Sequence, residues 1–181
     1  MHSWHDVKAN RIKKDHFLAL IEISKGSKNK YELDKETGHL ILDRVLFTST
    51  HYPQNYGFIP LTYAKDLDPL DVLVLCSESI IPMGFVDCKP IGVLLMVDGG
   101  FYDEKILAVP LNDPFYSNYN DISDVPTHVM DEIKHFFTVY KTLEGKTTAV
   151  DEFKNREEAE KIIQECLDRY QNIIVPKLNK K

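Results

Sequence analysis

The chain has 181 residues, of which 43% are hydrophobic and 28% are charged, and its formal net charge is −6. These proportions are ordinary for a globular protein and exclude a disordered chain, a collagen-like repeat and a disulfide scaffold. The acidic balance argues against a general binder of duplex nucleic acid, which would present a basic face.

The cysteine spacing and the N-terminal residues exclude further classes of protein. Cys76, Cys88 and Cys166 form no C-x-x-C pair, so neither a zinc knuckle nor a thiol redox motif is supported, and each is predicted to be a buried core residue. The opening M-H-S-W-H-D-V-K lacks the apolar region of a signal peptide, and no window approaches 18 uninterrupted apolar residues. We therefore expect a cytoplasmic protein that does not enter the membrane and forms one domain over residues 1–181.

The first two thirds of the chain predict β-structure. Segment 85–98 predicts either a strand pair or one bulged strand, because Pro90 and Gly92 interrupt it. Short strands spaced in this way indicate a barrel or a sandwich. The other predicted strands, separated by turn signals, are 17–23, 30–33, 39–43, 72–76 and 105–110.

The last third predicts two helices. The first would be capped by Ser123 or Asp124, with Pro126 near its first turn and Gly145 just past its end. Its apolar face consists of Val129, Ile133, Phe136, Phe137, Tyr140 and Leu143. The second begins at the capping-box-like pair Asn155 and Glu158 and ends before Pro176. Its apolar face consists of Ala159, Ile162, Ile163, Cys166, Leu167 and Tyr170.

The segment D-L-D-P-L-D places Asp66, Asp68 and Asp71 directly before the apolar run V-L-V-L-C. Pro69 biases Asp68 toward extended geometry, and in an extended segment Asp66 and Asp68 point to the same side. A solvated turn is one explanation, since Asp and Pro are turn formers, and a cation site is the other. The spacing excludes an EF-hand calcium loop.

Other residues of the chain favour the cation site. Further carboxylates occur in or beside the predicted strands, and oxygen ligands in this number suit a hard cation such as Mg²⁺. These are Glu22, Glu32, Asp98 and Asp103. Basic and phenolic side chains that can bind phosphate oxygens accompany them. These are Lys30, Arg44, Tyr52, Tyr56, Lys105, Tyr140 and Lys141. Taken singly, each of these residues also has an ordinary explanation at a strand edge, in a turn or in the core.

Seven segments carry a resemblance to a known family. In chain order they are I-E-I around Glu22, K-Y-E at 30–32, D-R at 43–44, Y-P-Q-N-Y-G-F-I-P-L-T at 52–62, D-L-D-P-L-D-V-L-V at 66–74, D-G-G-F-Y-D-E-K at 98–105 and H-F-F-T-V-Y-K at 135–141. Together they closely resemble the soluble family I inorganic pyrophosphatases of the bacterial type. The pairing of Y-P-x-N-Y-G with D-x-D-P-x-D-V-L-V is highly specific.

The resemblance implies a fold and an activity. The fold would be α+β and mainly β, a five-stranded OB-like β-barrel with two C-terminal helices packed against it. The activity would be hydrolysis of inorganic pyrophosphate to two orthophosphates by a Mg-activated water in a multi-metal carboxylate site, with Mn²⁺ as a possible substitute. The resemblance also implies a homo-oligomer, with a homohexamer favoured, and no nucleic-acid or membrane partner.

The resemblance also implies roles for individual residues. Asp68 would be the general base, and Tyr52 would support the pocket wall. The metal ligands would be Asp66, Asp71 and Asp103, with Asp98 for a further metal and Glu22 and Glu32 acting mostly through water. The phosphate-binding residues would be Lys30, Arg44, Tyr56, Lys105, Tyr140 and Lys141. Two positions depart from the family pattern: Leu67 replaces a common glycine, so we expect it to avoid a positive φ, and Phe153 replaces a common tryptophan.

Charge explains why such a set would need cations. The acidic members outnumber the basic ones, so the protein alone would repel pyrophosphate, and divalent cations would make the site nearly neutral. One rival is an OB-type single-strand binder, which would need a basic groove with stacking aromatic side chains. A second rival is a metal- or phosphate-binding relative that has lost catalysis.

Overall fold

The computed structural model describes residues 2–180. Met1 and Lys181, the two ends of the predicted domain, lie outside the described residues. Within residues 2–180, the strands are β1 (Ile12–Lys13), β2 (His16–Ile23), β3 (Asn29–Leu33), β4 (Leu40–Val45), β5 (Asn55–Ile59), β6 (Leu70–Val74), β7 (Phe85–Asp98), β8 (Phe101–Pro110) and β9 (Thr148–Asn155). The α-helices are α1 (Thr127–Val139), α2 (Arg156–Arg169) and α3 (Val175–Leu178).

A closed ring of strands forms the centre of the fold. In the described part of the chain, β2, β5, β6, β8 and β7 are consecutive neighbours, and β7 pairs back with β2 to close the ring. The pair β6–β8 is parallel, and the other pairs are antiparallel. Strands β1 and β9 extend the sheet, and β3 and β4 form a separate hairpin. This closed ring confirms the predicted OB-like five-stranded barrel.

The barrel strands contain continuous apolar runs in the segments where both of their faces are buried. In β6, Val72 packs in a cluster that includes Ile163 of α2, whereas Leu73 packs in a second cluster with Phe137 of α1. Successive side chains of a strand point to opposite faces, so adjacent apolar residues supply two cores. The two larger helices therefore pack on opposite cores of the same barrel.

Strand β5 was missed by the sequence analysis. Gly57, which lies within β5, allows this strand to pack closely against β2. A Cβ atom added at Gly57 would lie 1.8 Å from the carbonyl oxygen of Leu20 in β2. Only glycine permits this approach of the two backbones. The sequence analysis also missed β9. Of its two alternatives for segment 85–98, the single bulged strand is correct, and the irregularity lies between Pro90 and Gly92.

Helix α1 starts later than predicted. Ser123 and Asp124 belong to a preceding 3₁₀ turn that Asp121 caps, and the N-cap of α1 is Pro126. Leu143 was wrongly assigned to the apolar face, because the helix ends at Val139 and Leu143 lies exposed in a second 3₁₀ turn. The other predicted positions of that face are buried or partly buried.

Helix α2 begins as predicted, with the side chain of Asn155 accepting a hydrogen bond from the backbone N–H of Glu158 at 3.1 Å. Its apolar face is buried, with Leu167 partly so. A π-helical turn at 170–174 follows it, and Pro176 then lies in the first turn of α3. All three cysteines are free and buried, as predicted. Across residues 2–180, no helix has the length and apolar character needed to cross a membrane.

Candidate active site

A cavity of about 660 Å³ opens at one end of the barrel. The β3–β4 hairpin and the residues directly after α1 also line it. All of the predicted site residues except Arg44 line it. The predicted metal-ligand residues on its wall are Glu22, Glu32, Asp66, Asp71, Asp98 and Asp103. The other predicted site residues on its wall are Lys30, Tyr56, Asp68, Lys105, Tyr140 and Lys141. Tyr52, the predicted wall residue, also lines the cavity.

The centre of the cavity is a group of three carboxylates. Asp66, Asp71 and Asp103 each offer an oxygen, and these oxygens lie within 4.8 Å of one another. The parallel register of β6 and β8 pairs Asp71 with Lys105, which places Asp103 two residues away on the same edge. Three carboxylate oxygens at this spacing form a donor set that suits a hard divalent cation such as Mg²⁺ or Mn²⁺.

Burial and mutual repulsion disfavour the charged forms of these acids. Burial, together with the charges of Asp71 and Asp103, raises the pKa of Asp66 to about 7. Burial raises the pKa of Asp103 to about 6, although Lys105 opposes this shift. A bound cation would favour the ionised carboxylates and so oppose the effects of both burial and repulsion on these pKa values.

Lys105 is the buried cation of the carboxylate group. Its side chain is 2% exposed, and Nζ lies 2.9 Å from Asp71 Oδ2, 2.9 Å from the Tyr56 hydroxyl and 3.1 Å from both oxygens of Asp103. Burial alone would lower the pKa of Lys105, but the charges of Asp103 and Asp71 outweigh it and raise that pKa well above its usual value. Lys105 therefore stays charged and offsets part of the local negative charge.

Glu22 links the cavity to the hairpin. Its buried carboxylate accepts a hydrogen bond from the backbone N–H of Leu33 at 2.8 Å. Burial, and then the charge of Asp71, raises the pKa of Glu22 to about 8. Glu32 on the same hairpin is more exposed and pairs with Lys30 at 3.2 Å.

Further basic and phenolic groups of the site lie beside Asp98 and Asp43. Asp98 stands outside the carboxylate trio, accepting a hydrogen bond from the Tyr140 hydroxyl at 3.3 Å and pairing with Lys141. Tyr52 is buried, with its ring 5.3 Å from that of Tyr56. Arg44 does not line the cavity; it pairs with Asp43, which also accepts a hydrogen bond from Lys30 at 3.1 Å.

Comparisons with known proteins agree with this geometry. The family model described as inorganic pyrophosphatase matches residues 19–171. The soluble inorganic pyrophosphatase 2 of Chlamydomonas reinhardtii is 48% identical over 176 residues, which cover 97% of this chain and 92% of that protein. The chain belongs to the inorganic pyrophosphatase family. The predicted family is thus confirmed.

Two bacterial proteins are also similar to this member of the inorganic pyrophosphatase family. The inorganic pyrophosphatase of Halalkalibacterium halodurans is 51% identical over 152 residues, covering 84% of this chain and 93% of that protein. The structure of inorganic pyrophosphatase from Helicobacter pylori superposes with a TM-score of 0.88 at 43% identity, covering 92% of this chain and 99% of that one. The barrel, the hairpin and the helices are therefore those of the family.

The loop that carries the D-x-D-P-x-D motif of this pyrophosphatase differs from the expectation. Leu67 has φ of 69°, in the left-handed region, so the expectation that it would avoid a positive φ is wrong. The loop is a turn, in which Ala64 N–H donates to the Asp68 carbonyl at 2.8 Å, and it is not an extended segment. The turn places Asp66 with the carboxylate trio, while Asp68 lies at the cavity mouth and pairs with Lys35.

Sequence reasoning missed several charged residues at this pyrophosphatase site, among them Lys35 and Asp43. Lys35 lines the cavity and pairs with Asp68, and Asp43 bridges Lys30 and Arg44. Asp43 could have been found from its position beside Arg44 in the D-R pair. Lys35 lies in a turn after β3, and nothing in the local pattern indicates that it reaches Asp68.

Proposed function

We propose that this protein hydrolyses inorganic pyrophosphate to two orthophosphates and depends on divalent cations, Mg²⁺ foremost, with Mn²⁺ as a substitute. The observation that carries the proposal is the juxtaposition of three carboxylates within 4.8 Å and a set of basic and phenolic groups in one cavity. Family membership supports the same reaction, because the relatives are named inorganic pyrophosphatases.

Asp66, Asp71 and Asp103 would hold the cations directly, and Asp98 would serve a further one. Glu22 and Glu32 lie farther round the wall and would act mostly through water. The fit rests on the donor set, since hard cations prefer carboxylate oxygens and the raised pKa values of Asp66 and Asp103 reflect charge that needs neutralising. When bound, such cations neutralise phosphate charge and lower the pKa of the attacking water.

The remaining groups would bind the substrate and move the proton. Lys30, Lys105 and Lys141 would pair with phosphate oxygens, and the hydroxyls of Tyr56 and Tyr140 would donate hydrogen bonds to them. Arg44, which shares the partner Asp43 with Lys30, would also bind phosphate. Asp68, half exposed at the mouth, would accept or orient the proton of the attacking water. Positioning and charge neutralisation account for most of the acceleration in phosphoryl transfer.

We also propose that the protein is a homo-oligomer in the cytoplasm and, as the resemblance to the bacterial type implies, a hexamer. Association would bury apolar side chains that the single chain exposes, since Ile81 and Phe115 are each 74% exposed and Phe47 is 61% exposed. Light scattering coupled to size exclusion gives the mass directly. A monomer at micromolar concentration would contradict the proposal.

The direct test of the activity is release of orthophosphate from pyrophosphate, with and without added Mg²⁺. We expect release that stops with a chelator and returns with Mg²⁺ or Mn²⁺. Hydrolysis that resists the chelator would contradict metal dependence. Salt-sensitive binding of single-stranded nucleic acid without phosphate release would instead favour the rival function.

A further inference from the structure

Glu144 is a buried carboxylate that the sequence analysis did not single out. It ends the 3₁₀ turn 142–144 that follows α1, and its backbone N–H donates to the Lys141 carbonyl at 3.0 Å. Gly145, with φ of 70°, closes the turn. The Glu144 side chain is only 6% exposed. A buried carboxylate needs a partner of opposite charge, because desolvation is costly.

That partner is Arg44 of β4. Arg44 Nε lies 2.7 Å from Glu144 Oε1, while Arg44 Nη1 donates to Asp43. Within the described residues, Arg44 Nε, Arg44 Nη2 and Glu144 Oε2 are buried and make no hydrogen bond of good geometry. In a side-on arginine–carboxylate pair, Nε and Nη2 face the two carboxylate oxygens. A small rotation of either group would therefore satisfy all three atoms.

The geometry leaves one guanidinium nitrogen for a ligand. Nε and Nη2 are on the edge of the guanidinium that faces Glu144, whereas Nη1 lies off that edge and donates to Asp43. Asp43 is the present partner of Nη1 and also accepts a hydrogen bond from Lys30, which lines the cavity. An anion bound beside Lys30 would thus meet the Nη1 end of Arg44.

We propose that Glu144 is a positioning residue that holds the Nε and Nη2 edge of Arg44 and aims Nη1 at a bound phosphate group. The proposal rests on the proposed pyrophosphate hydrolysis. The turn that carries Glu144 begins at Lys141, which pairs with Asp98 and lines the cavity. One short turn therefore fixes two of the cations that would bind phosphate, Arg44 through a side-chain pair and Lys141 through the backbone.

The test is the steady-state kinetics of Glu144→Gln, which keeps the shape of the side chain and removes its charge. We expect the KM for pyrophosphate to rise about tenfold, as when one partner of a buried charge pair is lost. We expect kcat to change by less than about threefold, because the pair acts on substrate binding rather than on the reacting atoms. Glu152→Gln is the matched control, since that carboxylate is 50% exposed and pairs with Lys154 on β9, and it should leave both constants unchanged.

A double-mutant cycle separates positioning from general loss of structure. Lysine lacks the Nε and Nη2 edge, so adding Glu144→Gln to Arg44→Lys should raise KM by less than about a further twofold. If Glu144→Gln does not fold, Glu144→Asp replaces it, because it keeps the charge and shortens the reach, and its KM should also rise.

Several results would overturn the proposal. An unchanged KM in a folded Glu144 variant, or additive effects in the cycle, would show that Arg44 does not depend on Glu144. A lower KM would show that Glu144 competes with phosphate for Arg44. Wild-type protein that releases no phosphate would instead refute the proposed function, so the two failures are distinguishable.

Discussion

Leu67 is the residue at which backbone geometry and residue type disagree most at this site. Its φ of 69° lies in a region that costs a non-glycine residue about 1–2 kcal/mol. The side chain is 64% exposed, so it gains little from packing that could offset this cost. The strain is carried by the turn that places Asp66 beside Asp71 and Asp103.

Replacing Leu67 by glycine should therefore stabilise the protein. We expect Leu67→Gly to raise the free energy of unfolding by roughly 0.5–1 kcal/mol, after allowing for the greater freedom of glycine in the unfolded chain. Denaturant unfolding measures this change. Leu111→Gly, at an exposed loop leucine without a positive φ, should lower stability, and the same sign for both variants would contradict the argument from strain.

Asp68 is the residue on which the proposed proton transfer depends. We expect Asp68→Asn to lower kcat by about 100-fold or more, in the range of general-base contributions, without unfolding the protein. Phosphate release under saturating pyrophosphate and Mg²⁺ measures it. Asp131→Asn, an exposed aspartate of α1, is the control and should keep full activity. Near-wild-type turnover in Asp68→Asn would remove Asp68 from this role.

At the residue scale, the sequence could predict which side chains meet but not how the loop between them turns. Asp71 directly precedes the buried V-L-V run, so its place at the barrel end follows from the strand. The conformation of Leu67 could not be predicted, because the residue type itself disfavours it. The contact of Lys35 with Asp68 depends on a hairpin and a loop that are 33 residues apart, and local patterns carry no such information.

At the scale of elements, the parallel register of β6 and β8 builds the carboxylate group. It sets Asp71 opposite Lys105, and the alternation of side chains then places Asp103 on the same face as Lys105. The antiparallel pairing of β5 with β6 sets Tyr56 opposite Leu73, and the Tyr56 hydroxyl accepts a hydrogen bond from Lys105. The site thus depends on β5 remaining close to its two neighbours.

Substitution of Gly57 tests whether the fold depends on the close approach of β5 to its neighbours. We expect Gly57→Ala to cost at least about 3 kcal/mol or to prevent folding, because the new Cβ would overlap the Leu20 carbonyl oxygen and separate β5 from β2. Thermal or urea unfolding measures the loss. Gly26→Ala is the comparison: nothing lies within 4 Å of its added Cβ, so only the strain of its φ of 84° remains, about 1 kcal/mol. Equal losses in the two variants would refute the steric explanation.

Predictability of the elements followed the strength of their apolar patterns. Strands β2, β6 and β8 and helix α2 were predicted because their buried faces are continuous or regularly spaced. Strand β5 was missed since Pro53, Gly57 and Pro60 indicate a turn, whereas here the glycine is needed for close strand contact. Strand β9 carries charged residues on an edge that pairs only with β7 among the described strands, so its pattern is weak.

At the scale of the whole molecule, the site holds more acid than the folded protein can stabilise in its ionised form. The folded state raises the pKa values of Asp103, Asp66 and Glu22 to about 6, 7 and 8. Burial is the first cause in each case. A carboxyl group whose pKa is raised by folding contributes stability that is present below its unfolded pKa and is lost as pH rises through its folded pKa.

Stability of the metal-free protein should therefore fall as pH rises from about 4, near the ordinary pKa values of these groups, to about 8, the highest of their raised values. Urea unfolding in the presence of a chelator, at several pH values, measures this fall. Added Mg²⁺ should reverse the trend, because cation binding favours the ionised carboxylates. Asp71→Asn removes one of the repelling charges and should flatten the pH dependence. Stability that rises with pH in the chelated protein would contradict these assignments.

The central claim is that the acidic cavity becomes an anion receptor only when divalent cations occupy it. Calorimetric titration with a non-hydrolysable pyrophosphate analogue such as imidodiphosphate tests it most directly, with the protein either chelated or saturated with Mg²⁺. The account predicts binding with Mg²⁺ and at least about 100-fold weaker binding without it, since like charges then face each other across the cavity. Equal affinity in the two conditions would contradict the claim.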